Sequence, residues 1–228
     1  MKEQLRLKER VILIGGGNHV QYCIDIIERQ GLFDIAGIVD SRKEIGESVY
    51  GYNVIGRQET IRELINTHHV DKGLITIGDN WGRYHVHKQL IELVPDFEFI
   101  NAIHPSVIIG NNVKLGIGIV AMAGCIINPG ATIGDFTFFA TGAQVEHDCT
   151  IGDFASISAG SIMGGHVNIG KYSAITLGVT IMDRVNIGEN TVVGSGSLVH
   201  KDLPPGVLAY GNPVQIVRNR IIGEKFLK

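Results

Sequence analysis

Val145-Glu-His-Asp-Cys-Thr-Ile151-Gly-Asp-Phe-Ala-Ser-Ile157-Ser-Ala-Gly-Ser-Ile-Met163 puts an apolar side chain at every sixth position. The spacing continues in both directions without a break. Its teeth are Ile109, Leu115, Ala121, Ile127, Ile133, Phe139, Val145, Ile151, Ile157, Met163, Ile169, Ile175, Ile181, Ile187, Val193 and Val199. Glycine often follows a tooth, as at Gly110, Gly134, Gly152, Gly170 and Gly188, and four residues after a tooth the side chain is usually small. A hexapeptide period sustained this long is the signature of a parallel β-helix. Three hexads make one triangular coil, so the comb predicts about five coils with the teeth stacked inside. Glycine is expected to relieve the corners, where a side chain would obstruct the bend. Leu203-Pro-Pro-Gly206 ends the comb, because proline cannot donate to a further rung.

Upstream of the comb a different period rules. Arg10–Ile14 reads as a buried strand that closes on Gly15-Gly16-Gly17, and Asn18 is placed to cap a helix carrying Val20, Cys23, Ile24 and Ile27. Strands at 35–39, 73–77 and 97–100 alternate with helices at 57–67 and 83–93. That alternation predicts a small α/β unit with a parallel sheet. The fold class is therefore an α/β Rossmann-like N-terminal domain (1–101) followed by an all-β parallel β-helix (102–213). A C-terminal tail (214–228) is expected to cover the open end.

The chain has 228 residues, a formal net charge of −3 and 19% charged residues. No clustered basic surface marks a nucleic-acid partner. No apolar run is long enough to span a membrane, and the charged start Met1–Arg10 does not read as a signal peptide. Cys23, Cys125 and Cys149 are odd in number, and two fall on the small-residue comb. They read as buried thiols of a cytoplasmic protein, with neither a disulfide frame nor a metal site expected.

Ligand chemistry is expected at the carboxyl ends of the α/β strands, at Gly15–His19, Asp40-Ser41-Arg42 and Gly78-Asp79-Asn80. The glycine loop fails Gly-x-Gly-x-x-Gly because position 20 is Val. Either its amides hold a phosphate or sugar at a helix N-terminus, or it is a tight turn without a ligand. On the comb, His147 lies between Glu146 and Asp148, two places after a tooth and so facing outward. A neighbouring carboxylate can orient an imidazole and keep it basic. One coil on, Gly165 leaves a notch above the ring. His166 would meet a ligand there or simply face water.

The comb, the stretch Val145–Cys149, the junction Ile103-His104-Pro105-Ser106, the glycine loop with His19 and the ending Gly211-Asn212-Pro213 together resemble the bacterial left-handed β-helix sugar acetyltransferases. Within these, the chain looks like the N-acetyltransferases of nucleotide-linked 4-amino sugars and the sialic acid O-acetyltransferases. The resemblance implies acetyl-CoA as acyl donor, no metal, and a homotrimer with active sites between subunits. It implies His147 as general base with Asp148 orienting it, and an oxyanion-stabilising amide near Gly164-Gly165. It further implies a nucleotide-linked amino sugar held by Gly17, His19, Asp40, Ser41, Arg42, Asn80 and Arg83. Ser156, Gly165, Leu177, Gly178 and Ser195 would line the path of the acyl donor. Two positions depart from the family pattern, since relatives often carry Asn at the place of Ala140 and His at the place of Ser156. The leading expectation is N-acetylation for cell-surface glycan synthesis. The alternatives are O-acetylation of a sialic acid or related sugar, and a catalytically silent scaffold that binds nucleotide sugar.

Overall fold

The computed structural model describes residues 8–226; the charged segment 1–7 and the last two residues of the tail lie outside the described residues. The N-terminal part is a sheet of β1 (Glu9–Ile14), β2 (Phe33–Val39), β3 (Ser48–Val49), β4 (Tyr52–Gly56), β5 (Lys72–Ile75) and β6 (Glu98–Phe99). Its order is β3-β4-β2-β1-β5-β6, parallel except for the β3–β4 hairpin. Val11 to Ile14 are all buried because helices cover both faces of the central strand, which is why the run is apolar without alternation. The helices are α1 (His19–Gln30), α2 (Ile61–His68) and α3 (Asn80–Leu93). Val20, Cys23, Ile24 and Ile27 form the buried stripe of α1 as their spacing predicts, and Gly31 ends it in the left-handed region.

Several local expectations need correction. Asn18 has helical dihedrals and makes no side-chain capping bond. The helix expected from 83 begins at Asn80, because Asp79 caps it by accepting the N–H of Gly82 at 2.9 Å. The helix expected at 57–67 splits into a 3-10 turn, Gln58–Thr60, and α2. The β3–β4 hairpin carries too few residues to show a period.

From Ala102 the chain is a left-handed parallel β-helix of two-residue strands stacked in three faces. Partners are 18 residues apart, for example Val120 with Phe138, Ile126 with Gln144 and Thr132 with Thr150. Teeth from Ala121 to Val199 fill one continuous core with Cys125, Ala131, Ala143, Cys149 and Ala155. Ile109 is 41% exposed, since its strand is the first of its face and no coil lies below it.

The corners are made differently from the expectation. The residue three after each tooth adopts positive φ at every sixth position, from Asn112 (58°) to Gly196 (69°). The glycine after a tooth serves another purpose: a Cβ at Gly152 would lie 2.6 Å from the backbone nitrogen of Lys171 on the next coil. Close stacking of coils requires that glycine, and the left-handed residue makes the bend. Beyond the comb, Leu203 bridges Ile187, and Val207–Tyr210 stacks on Val192-Val193. Gln215–Asn219 then folds back antiparallel on Val207–Tyr210. The upper end is therefore closed by a hairpin. No helix among the described residues is long and apolar enough to cross a membrane.

All three cysteines are free and buried. Burial pushes the Cys23 thiol up to about 12 and raises those of Cys125 and Cys149. Native protein at pH 8 should therefore leave all three thiols unreacted toward a thiol-titrating disulfide reagent, and denatured protein should release three equivalents.

Candidate active site

The strand ends of the α/β sheet open into a cleft of about 740 Å³. Its lining includes Gly15–His19, Asp40–Lys43, Gly78, Trp81 and His85. Asp40 builds this cleft: one carboxylate oxygen accepts the N–H of Gly16 at 2.6 Å, and the other accepts those of Arg42 at 2.8 Å and Lys43 at 3.1 Å. Burial pushes its carboxyl up, but the hydrogen bonds from Gly16, Arg42 and Lys43 outweigh that and hold it below its ordinary value. Arg42 forms no ion pair among the described residues, whereas Lys43 is bound to Glu47. A Cβ at Gly17 would meet nothing within 4 Å, so this glycine leaves open space in the cleft.

His19 also borders a second cavity of about 290 Å³, lined by Phe138, Ala140, Thr141, Ser158 and Leu177 from the β-helix. Its ring packs edge-on against Phe138 and lies so close to Gly78 that a Cβ there would fall 2.2 Å from Nε2. Burial, then the charge of Arg83, holds its pKa below the ordinary imidazole value. Its buried Nδ1 has no partner among the described residues.

Arg83 and Asn80 are turned into the contact between the two domains, contrary to the sequence expectation, and Ser156 joins their network while also bordering the second cavity. Arg83 is fully buried between the two domains. Its guanidinium donates to the carbonyls of Phe136 (3.0 Å), Gly78 (2.7 Å) and Phe154 (3.1 Å), and to Asn80 Oδ1 and Ser156 Oγ. No donor remains for a phosphate. Asn80 donates to the carbonyls of Tyr172 and Ser173, and its Oδ1 accepts the Ser156 hydroxyl. Departure from the family pattern at Ser156 thus supplies part of an interdomain network. The neighbouring corner carries an aromatic ladder that the sequence reading missed: Phe136, Phe154 and Tyr172, one per coil, stack at 5.0 and 5.5 Å between centroids. Trp81 of α3 caps the ladder at 4.4 Å from Tyr172 and donates its indole N–H to Asn190. The signal was present as aromatic residues exactly one coil apart, hidden behind the stronger tooth period.

His147 and Asp148 stand at the corner between the second and third faces. Nδ1 of His147 lies 2.9 Å from Asp148 Oδ2, and Nε2 of His166 lies 4.0 Å from the same oxygen. The hydrogen bond from His147, reinforced by the two imidazoles' charge, holds the Asp148 carboxyl below its ordinary value. With Nδ1–H donated to Asp148, Nε2 of His147 is the basic nitrogen. The ring lies over Gly165, where a Cβ would come within 2.6 Å of Nε2, so the imidazole itself fills the notch. The three side chains offer atoms within 4.8 Å of one another, a set that also suits a transition metal. One expectation fails here: the Gly164 N–H is bonded to the Ile181 carbonyl at 2.9 Å and that of Gly165 to Asp183 at 2.7 Å. Neither amide is free for an oxyanion.

Gly165 is buried beneath His147, whereas Leu177, Gly178 and Ser195 are exposed along the corner between the first and second faces. Every left-handed position of that corner from Gly124 to Gly196 is glycine, and Cβ atoms at Gly142, Gly160, Gly178 and Gly196 would meet nothing within 4 Å. This edge is bare backbone. It lies beside the second cavity and away from the His147 corner.

Residues 10–90 match the family described as the PglD N-terminal domain. The whole fold is similar to perosamine N-acetyltransferase from Caulobacter crescentus, solved with CoA and GDP-perosamine. The two are 32% identical over 94% of this chain and 99% of that one, with a TM-score of 0.86. It is also similar to the acetyltransferase domain of PglB from Neisseria gonorrhoeae, at 25% identity, 92% and 100% coverage and a TM-score of 0.83. That domain was also solved with acetyl coenzyme A. No curated protein sequence matches the chain.

Replacing Arg83 with Met should strip a buried network of its donors and cost about 3–5 kcal/mol, read as a lowered denaturation midpoint. Gly17→Ala, by contrast, should leave the melting temperature within a degree or so of wild type while weakening nucleotide binding by about tenfold, measured by calorimetry. An unchanged affinity would mean that no ligand approaches the loop.

Proposed function

The chain belongs to the PglD-type family of hexapeptide-repeat sugar acetyltransferases, and on that premise we propose that it transfers the acetyl group of acetyl-CoA to the amine of a nucleotide-linked amino sugar. The observation that carries the reading is the His147–Asp148 pair, Nδ1 to Oδ2 at 2.9 Å, on a prism corner, which in the tautomer donating Nδ1–H to Asp148 leaves Nε2 to accept a proton. The sugar amine attacks the thioester carbonyl, and Nε2 of His147 takes its proton. The C–N bond forms, the C–S bond breaks, and the CoA thiolate leaves and is reprotonated. Asp148 fixes the tautomer and stabilises the imidazolium that forms. No metal is needed. Acceptance of an amine distinguishes this reading from O-acetylation of a sialic acid, and the relatives named above favour the amine. A silent scaffold would have no use for an oriented, exposed imidazole.

The cleft bounded by Gly17, His19, Asp40, Ser41 and Arg42 suits the nucleotide: Arg42 has the geometry for a diphosphate, and the glycine loop opens at a helix N-terminus. The corner at Leu177, Gly178 and Ser195, glycine at each left-handed position, suits the pantetheine arm, which can run against its exposed backbone beside the Leu177 side chain. These parts occupy different edges of one prism. The first face is covered by the chain's own N-terminal domain, where Ala102, Val120 and Phe138 join its core. The corner carrying His147 lies opposite that face.

A homotrimer resolves the separation, with a neighbour's His147 brought to the cleft and glycine edge of the next subunit. The outward residues of the three faces support it. The third face presents Lys114, Thr132, Thr150, Asn168 and Asn186, all exposed and polar. The second presents Ile108 and Ile162, 61% and 42% exposed, beside Ile126 and Leu198, and is mostly aliphatic with Gln144 and Thr180 between them. An uncovered aliphatic face of this kind marks an interface. We place the reaction in the cytoplasm, where acetyl-CoA and nucleotide sugars meet and thiols stay reduced, as a step of cell-surface glycan synthesis.

The test is release of CoA thiol from acetyl-CoA with UDP-, dTDP- and GDP-linked amino sugars, with sialic acid alongside. Wild type should turn over one amino sugar, and His147→Ala should lower the rate by about 10²–10⁴ with an unchanged melting temperature. Turnover of sialic acid alone would reverse the acceptor assignment.

A further inference from the structure

The tail does more than close the prism. After Gln215–Asn219 the chain turns at Arg220, whose side chain is almost buried, and crosses the N-terminus of α3. Arg220 donates to the carbonyl of Asn190 at 3.2 Å, and Asn190 donates back to the carbonyl of Ile221 at 3.4 Å. Arg218 grips Glu224, one of its contacts being 3.1 Å, and Glu224 in turn accepts the Ile221 N–H. Finally the N–H of Phe226 reaches Asp79 Oδ2 at 3.3 Å, on the same carboxylate that caps α3. A chain end held at so many points has a fixed path. That path brings Gly223 and Lys225 into the wall of the large cleft and Phe226 into the wall of the small one.

The charge balance of the cleft gives Lys225 its meaning. The acid in its wall, Asp40, is spent on three backbone N–H groups, and Asp79 next to it on those of Gly82 and Phe226. Lys43 is paired with Glu47. Among the described residues Arg42 and Lys225 have no anionic partner, and they enter the cleft from segments 183 residues apart. Two uncompensated cations in one concave site raise the local concentration of an anion and bind it by charge-assisted hydrogen bonds.

We propose that the strap Ile221–Phe226 is a wall of the nucleotide site and that Lys225 binds the diphosphate of the nucleotide-linked substrate together with Arg42. The assignment rests on the reading of the cleft as a nucleotide site.

The experiment is calorimetric titration of the full-length protein with GDP, UDP and dTDP, and with the corresponding nucleosides. Wild type is compared with Lys225→Ala, Lys225→Arg and Lys114→Ala, the last removing an equal charge from the polar third face. Lys225→Ala should weaken the preferred diphosphate by about tenfold. Lys225→Arg should retain most of the affinity, and Lys114→Ala all of it. The nucleoside, lacking phosphate, should bind wild type and Lys225→Ala alike. Raising the salt should narrow the difference between them. An affinity of Lys225→Ala for the diphosphate within about twofold of wild type overturns the proposal. So does an equal loss for the nucleoside, or failure of all three diphosphates to bind wild type. Thiol release is followed on the same preparations. Diphosphate binding that depends on Lys225, without turnover of any amino sugar, would sink the acetyl-transfer reading and leave the strap assignment standing.

Discussion

Each coil of the β-helix gives its backbone hydrogen bonds to the coil 18 residues on, and this register dictates where every other group can stand. Parallel stacking leaves the backbones in contact at each corner, so the residue after a tooth is repeatedly glycine. The bend itself needs a left-handed residue three places after each tooth. These two requirements repeat at every sixth residue for five coils. They make the interior a column of aliphatic teeth and the outside a lattice of three faces and three corners. Position modulo 18 then decides what a residue can do.

The three corners have taken three chemistries. One is all glycine, a bare edge against which an extended ligand can lie. One carries Phe136, Phe154 and Tyr172, whose stack receives Trp81 and fixes α3 against the prism. The last carries Asp148 and His166 beside His147. The faces divide in the same way: one covered by the chain's own domain, one polar, one aliphatic and uncovered. Arg83 locks the first arrangement. Buried among carbonyls with no carboxylate in hydrogen-bonding contact, it is held by dipoles from both domains, which keeps the large cleft and the prism in one fixed relation.

What could be read from the sequence follows from how periodic each signal is. The comb was legible from Ile109 to Val199 because its constraint repeats without exception, and the βαβ alternation because Val11–Ile14 is an unbroken apolar run ended by glycines and the stripe of α1 is long enough to show a period. The cleft was legible from topology, since strand ends in a parallel sheet converge. The hairpin Ser48–Gly56 was not, being shorter than any period. Asn80 and Arg83 were misread for a different reason. A polar residue near a strand end has the same local sequence whether it meets a ligand or a second domain, and only the docking of α3 on the prism distinguishes them. The strap was invisible because its role depends on where Asp79 sits in space, 147 residues earlier in the chain.

The left-handed backbone at Asp148 (φ 56°) and His166 (φ 58°) has a further consequence. Glycine occupies this conformation freely; Asp and His reach it at a smaller cost than the about 1–2 kcal/mol of a branched or aromatic side chain. At the corner of the ladder that cost is offset by stacking. At the His147 corner both side chains are half exposed, and their only compensation is local: Asp148 bonds His147 at 2.9 Å and the His166 ring packs edge-on against that imidazole at 5.0 Å. Asn112 and Arg184 hold the same conformation on that edge, which carries no core packing. A sequence selected for durability alone would place glycine there. Asp148 and His166 therefore mark a trade-off, in which the prism gives up thermal margin to keep an oriented imidazole at its surface.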